Sequence, residues 1–320
     1  MNDIEKLQEN IENRNKLNST VREFFAHRGF LEVETPILVR SPGMEPNLSV
    51  FEAGDGGLRT SPEYQLKKLL GLGMKKIFEI ARVFRSGEPI GGLHNPEFTM
   101  IEWYGQGASM EDGMKQTEEL VDYCAKAFSY NGKIDLSLPW PRISLRDLFL
   151  EHVGIDLAEA SSELYRQACE KHGIGVSADD SESDLFFRLH LSLIEPKLPK
   201  DRAYFIYDYP KSEAALSRLT PDGKFARRFE ACLGEIELCN AFEELTDKEE
   251  QRARFETEAK ERERMGKHVF PIDEELLNLL VSISNPTFGN ALGLDRLLMA
   301  LTGASSIDDV LAFPASRFFK

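Results

Sequence analysis

Apolar residues recur at helical spacing from Ile4 through Leu7, Ile11, Leu17, Val21 and Phe24 to Phe25. That spacing predicts a helix over residues 3–28, stopped by Gly29. The next stretch, FLEVETPIL at 30–38, reads as a strand whose Pro36 lacks an N–H and favours an edge or an end. A helix running into such a strand suits self-association, although an ordinary core helix and strand explain the spacing as well. Residues 40–58 are rich in Gly, Pro and Asn and read as a loop. A helix should start near Pro62, with Ser61 or Thr60 as its cap and Glu63 in its first turn. There Glu63 either complements the helix dipole or meets a substrate amine.

From Ile77 to Tyr104 the pattern changes to alternation, in two strands joined by a long polar loop. Glu79, Ala81, Val83 and Arg85 share one face, as do Phe98, Met100, Glu102 and Tyr104. One side of this hairpin therefore carries an arginine, an aromatic ring, a carboxylate and a phenol. That set suits a ligand with a phosphate, a flat base and an ammonium group; it is also what a solvated amphipathic hairpin shows.

A helix follows over 111–128, then a Gly- and Pro-containing connector over 131–142. Short helical pieces run from 144 to about 197, with Ser144 and Ser161 as starts and a third piece from Asp184 to Glu195. They read as an insertion, because a strand resumes at 203–208. In RRFEACLGEIELCNAFEELTD, 227–247, a two-residue turn at Leu233–Gly234 would set Glu230 opposite Glu237. Opposed residues have Cβ atoms roughly 4.5–5.5 Å apart, so two such carboxylates want a cation between them, and a hard one such as Mg²⁺ suits oxygen ligands. With the turn elsewhere, both are simply solvated. Residues 247–267 read as a charged surface helix, and 273–283 as a packing segment. NPTFGNALGLDRLLMALTG, 285–303, reads as a strand entering a helix. Arg296 lies near that helix start, where acidic groups are preferred, which makes sense if it faces an anion; the alternative is a surface arginine in solvent.

Composition narrows the picture. The chain has 320 residues, 42% of them hydrophobic, and a net charge of −15 from 39 basic and 54 acidic residues. Broad nucleic-acid binding, which relies on Lys and Arg neutralising phosphates, is disfavoured. A cationic substrate or partner loop fits better. Cys124, Cys169, Cys232 and Cys239 form no CxxC pair, so neither a zinc site nor a disulfide framework is expected. The polar start of the chain has no signal-peptide core, and no apolar run spans a membrane. A cytoplasmic location is the default expectation.

Three segments then align with one pattern. FLEVETPIL, FRSGE…HNPEFTMIEWY and GNALGLDRLLM resemble, in order and spacing, motifs 1, 2 and 3 of class II aminoacyl-tRNA synthetases. HNPEFTMIEWY with CNAFEELTD is similar to the lysyl branch. The pattern begins within about the first 30 residues, leaving no room for the anticodon-binding domain of a lysyl-tRNA synthetase. Ala291 stands five residues before Arg296, where lysyl-tRNA synthetases carry glycine. In both respects the chain resembles the elongation factor P–(R)-β-lysine ligase family.

The resemblance implies an α+β fold, an antiparallel sheet flanked by helices, in a single catalytic domain over 1–320 with a helical insertion at about 144–200. It implies a two-fold dimer through motif 1. It implies ATP as a substrate with Mg²⁺ held by Glu230 and Glu237. Arg85 would hold the α-phosphate and the substrate carboxylate. Glu88 and His94 would contact ATP, Phe98 would stack on the adenine, and Arg296 would cover its other face or hold the γ-phosphate. Ser61, Glu63, Glu102, Tyr104, Asn240 and Glu244 would line the amino-acid pocket, shaped by Phe242 and floored by Ala291. The implied reaction adenylates (R)-β-lysine or lysine and transfers it to a lysine of translation elongation factor P, with tRNA not expected as acceptor. The chain departs from the family before the histidine of HNPEF, where a basic residue is usual. Here Gly91, Gly92 and Leu93 occupy a loop one residue longer, which bears on the ATP tail and on acceptor docking. Two other readings stand beside this one: a truncated lysyl-tRNA synthetase, and a non-catalytic paralogue, against which Arg85, Glu230, Glu237 and Arg296 all speak.

Overall fold

Helix α1 spans Asp3–Ala26, and its Leu17, Val21, Phe24 and Phe25 are fully buried. Gly29 ends it with φ at 73°, a left-handed conformation that glycine adopts without a Cβ clash. The computed structural model describes residues 3–319. The strand expected over 30–38 is instead two fragments, β1 (Leu31–Glu32) and β2 (Leu38–Val39). Pro36 cannot donate to a ladder, and Thr35 directs its hydroxyl to Glu79 at 2.7 Å. The segment expected as loop contains β3 (Glu52–Ala53) and all of β4 (Gly56–Leu58). These two pair with each other and β4 pairs with β2, making a small three-stranded sheet.

Helix α2 spans Glu63–Gly71 behind Pro62, and Ser61 Oγ accepts from the Glu63 amide at 3.1 Å. The alternating stretch is β5 (Lys76–Phe84) and β6 (Glu97–Gln106), antiparallel and in unbroken register. Helix α3 (Met110–Ala127) starts on a capping box between Ser109 and Asp112. Then come β7 (Arg142–Ser144), α4 (Leu145–His152), α5 (Ser162–Lys171), α6 (Glu182–Leu189), β8 (Ala203–Tyr207), β9 (Arg228–Leu233) and β10 (Ile236–Glu243). The Ser144 and Ser161 caps are as expected, and the third helix starts on Ser181. Helices α7 (Lys248–Arg264) and α8 (Glu274–Leu280), strand β11 (Thr287–Gly293) and helix α9 (Leu294–Thr302) close the order.

Two compact units divide the chain. One runs through Gly132 and resumes at Thr246; the other is Lys133–Leu245. In the first, strands are ordered β1-β5-β6-β11, with β1 parallel to β5 and the rest antiparallel. In the second, the order is β10-β9-β8-β7, with only the β7–β8 pair parallel. Its core packs the helices of 144–200 around Phe149, Tyr165, Phe186 and Leu189, with Phe149 stacked on Phe186 at 5.2 Å.

Helix α7 is the charged surface helix expected, with one buried stripe. Gln251, Phe255 and Arg262 are buried. With Glu258 they form one stripe at helical spacing, largely of polar residues, which a hydrophobic pattern cannot reveal.

Candidate active site

The first unit builds one face from β5, β6 and β11. The register sets Glu79 opposite Glu102, Ala81 opposite Met100 and Val83 opposite Phe98. Ala291, the residue expected as pocket floor, pairs with the buried Glu102. Ala81, Val83 and Met100 form the buried ground of this face, with Phe98 and Ala291 against them. Arg85 follows directly on β5. Its amide donates to Pro96 O at 2.9 Å, closing the loop's neck, and its guanidinium lies over the Phe98 ring at 5.1 Å.

Glu102 is buried, accepting from Ser61 Oγ at 2.6 Å and from the Tyr104 hydroxyl at 2.7 Å. Burial, then the nearby charge of Glu63, pushes its carboxyl up to about 8, against the pull of those two hydrogen bonds. Glu63 pairs with Lys67 at 2.6 Å. Ser61, Glu63, Glu102 and Tyr104 thus stand together.

In the loop before β6, Arg296 Nη2 lies 3.3 Å from His94 Nε2. A guanidinium only donates, so Nε2 accepts and the ring proton sits on Nδ1. Burial and the charge of Arg296 lower the His94 pKa, consistent with a neutral ring. Glu88 lies 3.9 Å from the same nitrogen. The glycine-rich stretch is held by backbone bonds in both directions between Gly91 and His94, and Ile307 N donates to Gly92 O at 2.7 Å. Arg296 faces this loop, not open solvent.

The second unit builds another polar face, with a corrected register. The turn is at Gly234–Glu235, and Glu230 stands opposite Asn240, not Glu237. Glu237 pairs with Cys232, and the register shifts between Glu237 and Cys239. Leu238 is the extra residue of a β-bulge. The bulge has a consequence for the faces. Glu237 and Asn240 are three residues apart, so a regular strand would turn them to opposite sides; the extra residue returns both to the side of Glu230. Glu230, Glu237, Asn240, Phe242 and Glu244 therefore share one face. Glu230 and Glu237 flank Cys232, and burial, then their two charges, push its thiol far up.

Sequence reading missed Arg228. Its guanidinium donates to Glu230 at 2.7 Å, to Asn240 at 3.2 Å and to Glu213 O at 2.8 Å, and it stacks on Tyr209 at 4.3 Å. Alternation was the available signal, since Arg228 precedes Glu230 by two. Glu244 is fully buried and bridges by backbone to Ser217. Its neighbour Glu243 turns the other way, to Arg218 at 3.1 Å and Arg227 at 2.8 Å. Also missed was Arg59, buried with Glu79 at 2.7 Å.

The first unit thus sets an arginine over an aromatic ring beside buried carboxylates, on the antiparallel strands β5, β6 and β11. The family model of tRNA synthetases class II (D, K and N) matches residues 3–317, and the chain belongs to that family, whose members are ligases. Among curated proteins it is 37% identical over 321 residues to an elongation factor P–(R)-β-lysine ligase of Yersinia enterocolitica, covering 96% of this chain and 95% of that one. A protein of the same description from Salmonella typhi is 37% identical with the same coverage.

Proposed function

We propose that the chain activates (R)-β-lysine, or lysine, with ATP and ligates it to a lysine ε-amine of translation elongation factor P. The observation that carries this reading is the first unit's face. Arg85 over Phe98 suits a phosphate and a base, and the raised carboxyl of Glu102 marks a pocket short of positive charge. The relatives' shared description supplies the acceptor.

In the first step a substrate carboxylate oxygen bonds to the α-phosphorus of ATP, and the bond to the β-phosphate bridging oxygen breaks, releasing pyrophosphate. Both reactants are anions. Arg85 offsets their repulsion with a planar fork that a lysine cannot reproduce. Phe98, Glu88, His94 and Arg296 bind and orient the nucleotide, which supplies much of the acceleration. In the second step the acceptor's ε-amine attacks the carbonyl, loses a proton, and AMP leaves. No protein nucleophile is required.

Glu230 and Glu237 would hold Mg²⁺. Two carboxylates on one face, diagonal neighbours at about 7–8 Å between Cα atoms, suit an ion completed by phosphates and water. Among the described residues no group of three His, Cys, Asp or Glu forms a closed cage. When bound, the ion neutralises charge on phosphate oxygens. Arg228 fixes the Glu230 carboxylate. Ser61, Glu63, Glu102, Tyr104, Asn240, Phe242, Glu244 and Ala291 serve the amino acid. We read the helices of 144–200 as an insertion in one catalytic domain, and the chain as a homodimer through motif 1, where Leu31 and Leu38 are exposed.

ATP–pyrophosphate exchange tests the activation step. Exchange that depends on a lysine isomer is expected; no exchange with any isomer would favour the non-catalytic paralogue.

A further inference from the structure

A second acidic cluster stands in the first unit against α2. It joins Glu45, from the loop after β2, to Glu63 and to Glu258 of α7. Tyr64 is buried among them, and burial followed by the charges of Glu45, Glu258 and Glu63 pushes its phenol far up. Burial first, then the charge of Glu45, raises the Glu258 carboxyl to about 8. The cations here are engaged with groups other than the Glu45 carboxylate. Lys67 is on Glu63. Arg262 donates to Glu45 O and Leu48 O, both at 3.0 Å, and to His268 O at 2.8 Å.

These donors hold a loop. Lys267 Nζ adds a bond to Pro46 O at 2.6 Å, and Thr60 Oγ1 one to Pro42 O at 3.0 Å. What the tied loop presents is the carboxylate of Glu45. Its Oε2 is buried and has no hydrogen-bond partner among the described residues. It lies over Gly43, where a Cβ would come within 2.7 Å of Oε2 and 2.8 Å of Thr60 Oγ1. Glycine at 43 thus leaves the room in which this oxygen sits, next to the segment leading into Ser61 and Glu63. Glu45 feels the like charge of Glu63 and the opposite charges of Arg85 and Arg262. A buried carboxylate oxygen without a donor is costly unless a ligand supplies one.

We infer that Glu45, together with Glu63, receives the substrate ammonium nearest the reacting carboxylate, and so selects amino acids that carry one. The inference rests on the activation reading above, which puts Arg85 at the reacting carboxylate. Glu45 has Arg85 as one charged neighbour and Glu63 as another, so an ammonium close to that carboxylate is the group that answers its unpartnered oxygen. The distal ammonium falls to the other carboxylates.

The test compares the full-length protein with Glu45→Gln and Glu45→Asp, using (R)-β-lysine, α-lysine and 6-aminohexanoate, which lacks the proximal ammonium. Binding is read by calorimetry beside pyrophosphate exchange. Glu45→Gln should weaken binding of both lysines by about tenfold or more, leave 6-aminohexanoate and ATP within about twofold, and be partly rescued by Glu45→Asp. Equal weakening of all three amino acids would make Glu45 a structural residue and overturn the inference, as would no change. Absence of exchange in the unsubstituted protein would count against the activation reading alone, because the binding ratios still decide Glu45.

Discussion

Glu102 carries the account at the scale of single residues. Its carboxyl is raised to about 8 by burial and by Glu63, so below that pH it is largely neutral in the free protein. An ammonium pairs with the charged form. Binding of a diamino acid should therefore release a proton, and affinity should rise as pH climbs from about 6 toward 8. Calorimetry in buffers of different ionisation heat measures that proton; uptake in place of release would contradict the assignment. The same shift makes a folding prediction. A carboxyl raised in the fold is held protonated longer than in the unfolded chain, so its contribution to stability falls as pH rises from about 4.5 to 8, and bound amino acid should restore it. Glu244 is buried on the second unit's polar face. Glu244→Ala should cost amino-acid use about 3–5 kcal/mol, the usual loss when one partner of a buried charge pair is removed, with KM for ATP little changed. Equal losses on both substrates would remove it from the pocket. These side chains were legible because motif and alternation agreed. Arg228 and Glu45 were not: the first sits outside any motif, and the second lies on a loop where no periodicity operates.

Elements show where sequence reading holds and where it fails. The β5–β6 face was legible because its nine paired positions run without a break, so period-two counting survives. In β9–β10 the same counting put Glu230 against Glu237, because alternation does not announce a bulge. The shift at Leu238 corrects the pairing and also brings Glu237 onto the side of Asn240, Phe242 and Glu244. The 30–38 segment broke in two because side-chain bonds from Thr35 and Arg59 replace ladder bonds there. Arg59 donates to Thr35 O at 3.0 Å, Arg82 O at 3.0 Å and Thr35 Oγ1 at 2.7 Å, besides its pairing with Glu79. This tie fixes β5 against the segment between β1 and β2. Glu79→Ala would leave the guanidinium buried without its carboxylate and should lower unfolding free energy by about 3–5 kcal/mol. Urea denaturation measures it; a loss below about 1 kcal/mol, as for exposed pairs, would show that the tie does not hold the element.

For the whole molecule, the acidic balance of −15 suits a cationic amino acid better than a nucleic acid, and the family match supplies the chemistry. The three motifs were legible because each sets distinctive residues at fixed spacing: Pro36 after two glutamates in the first, Arg85 and Phe98 in the second, and glycines ahead of Arg296 in the third. The division into two units was not, since it follows contacts distant in sequence. No described helix is long and apolar enough to cross a membrane. Light scattering should give twice the chain mass if motif 1 forms the proposed two-fold interface; a monomer at micromolar concentration would leave exposed Leu31 and Leu38 to be explained otherwise. The most direct test of the central proposal is acceptor choice. The protein is incubated with ATP, Mg²⁺ and (R)-β-lysine or α-lysine, with elongation factor P or lysine tRNA in separate tubes. Intact mass should show one lysyl unit added to the factor, with the β isomer preferred and tRNA uncharged. Charged tRNA beside an unmodified factor would contradict the account and make this chain a minimal synthetase.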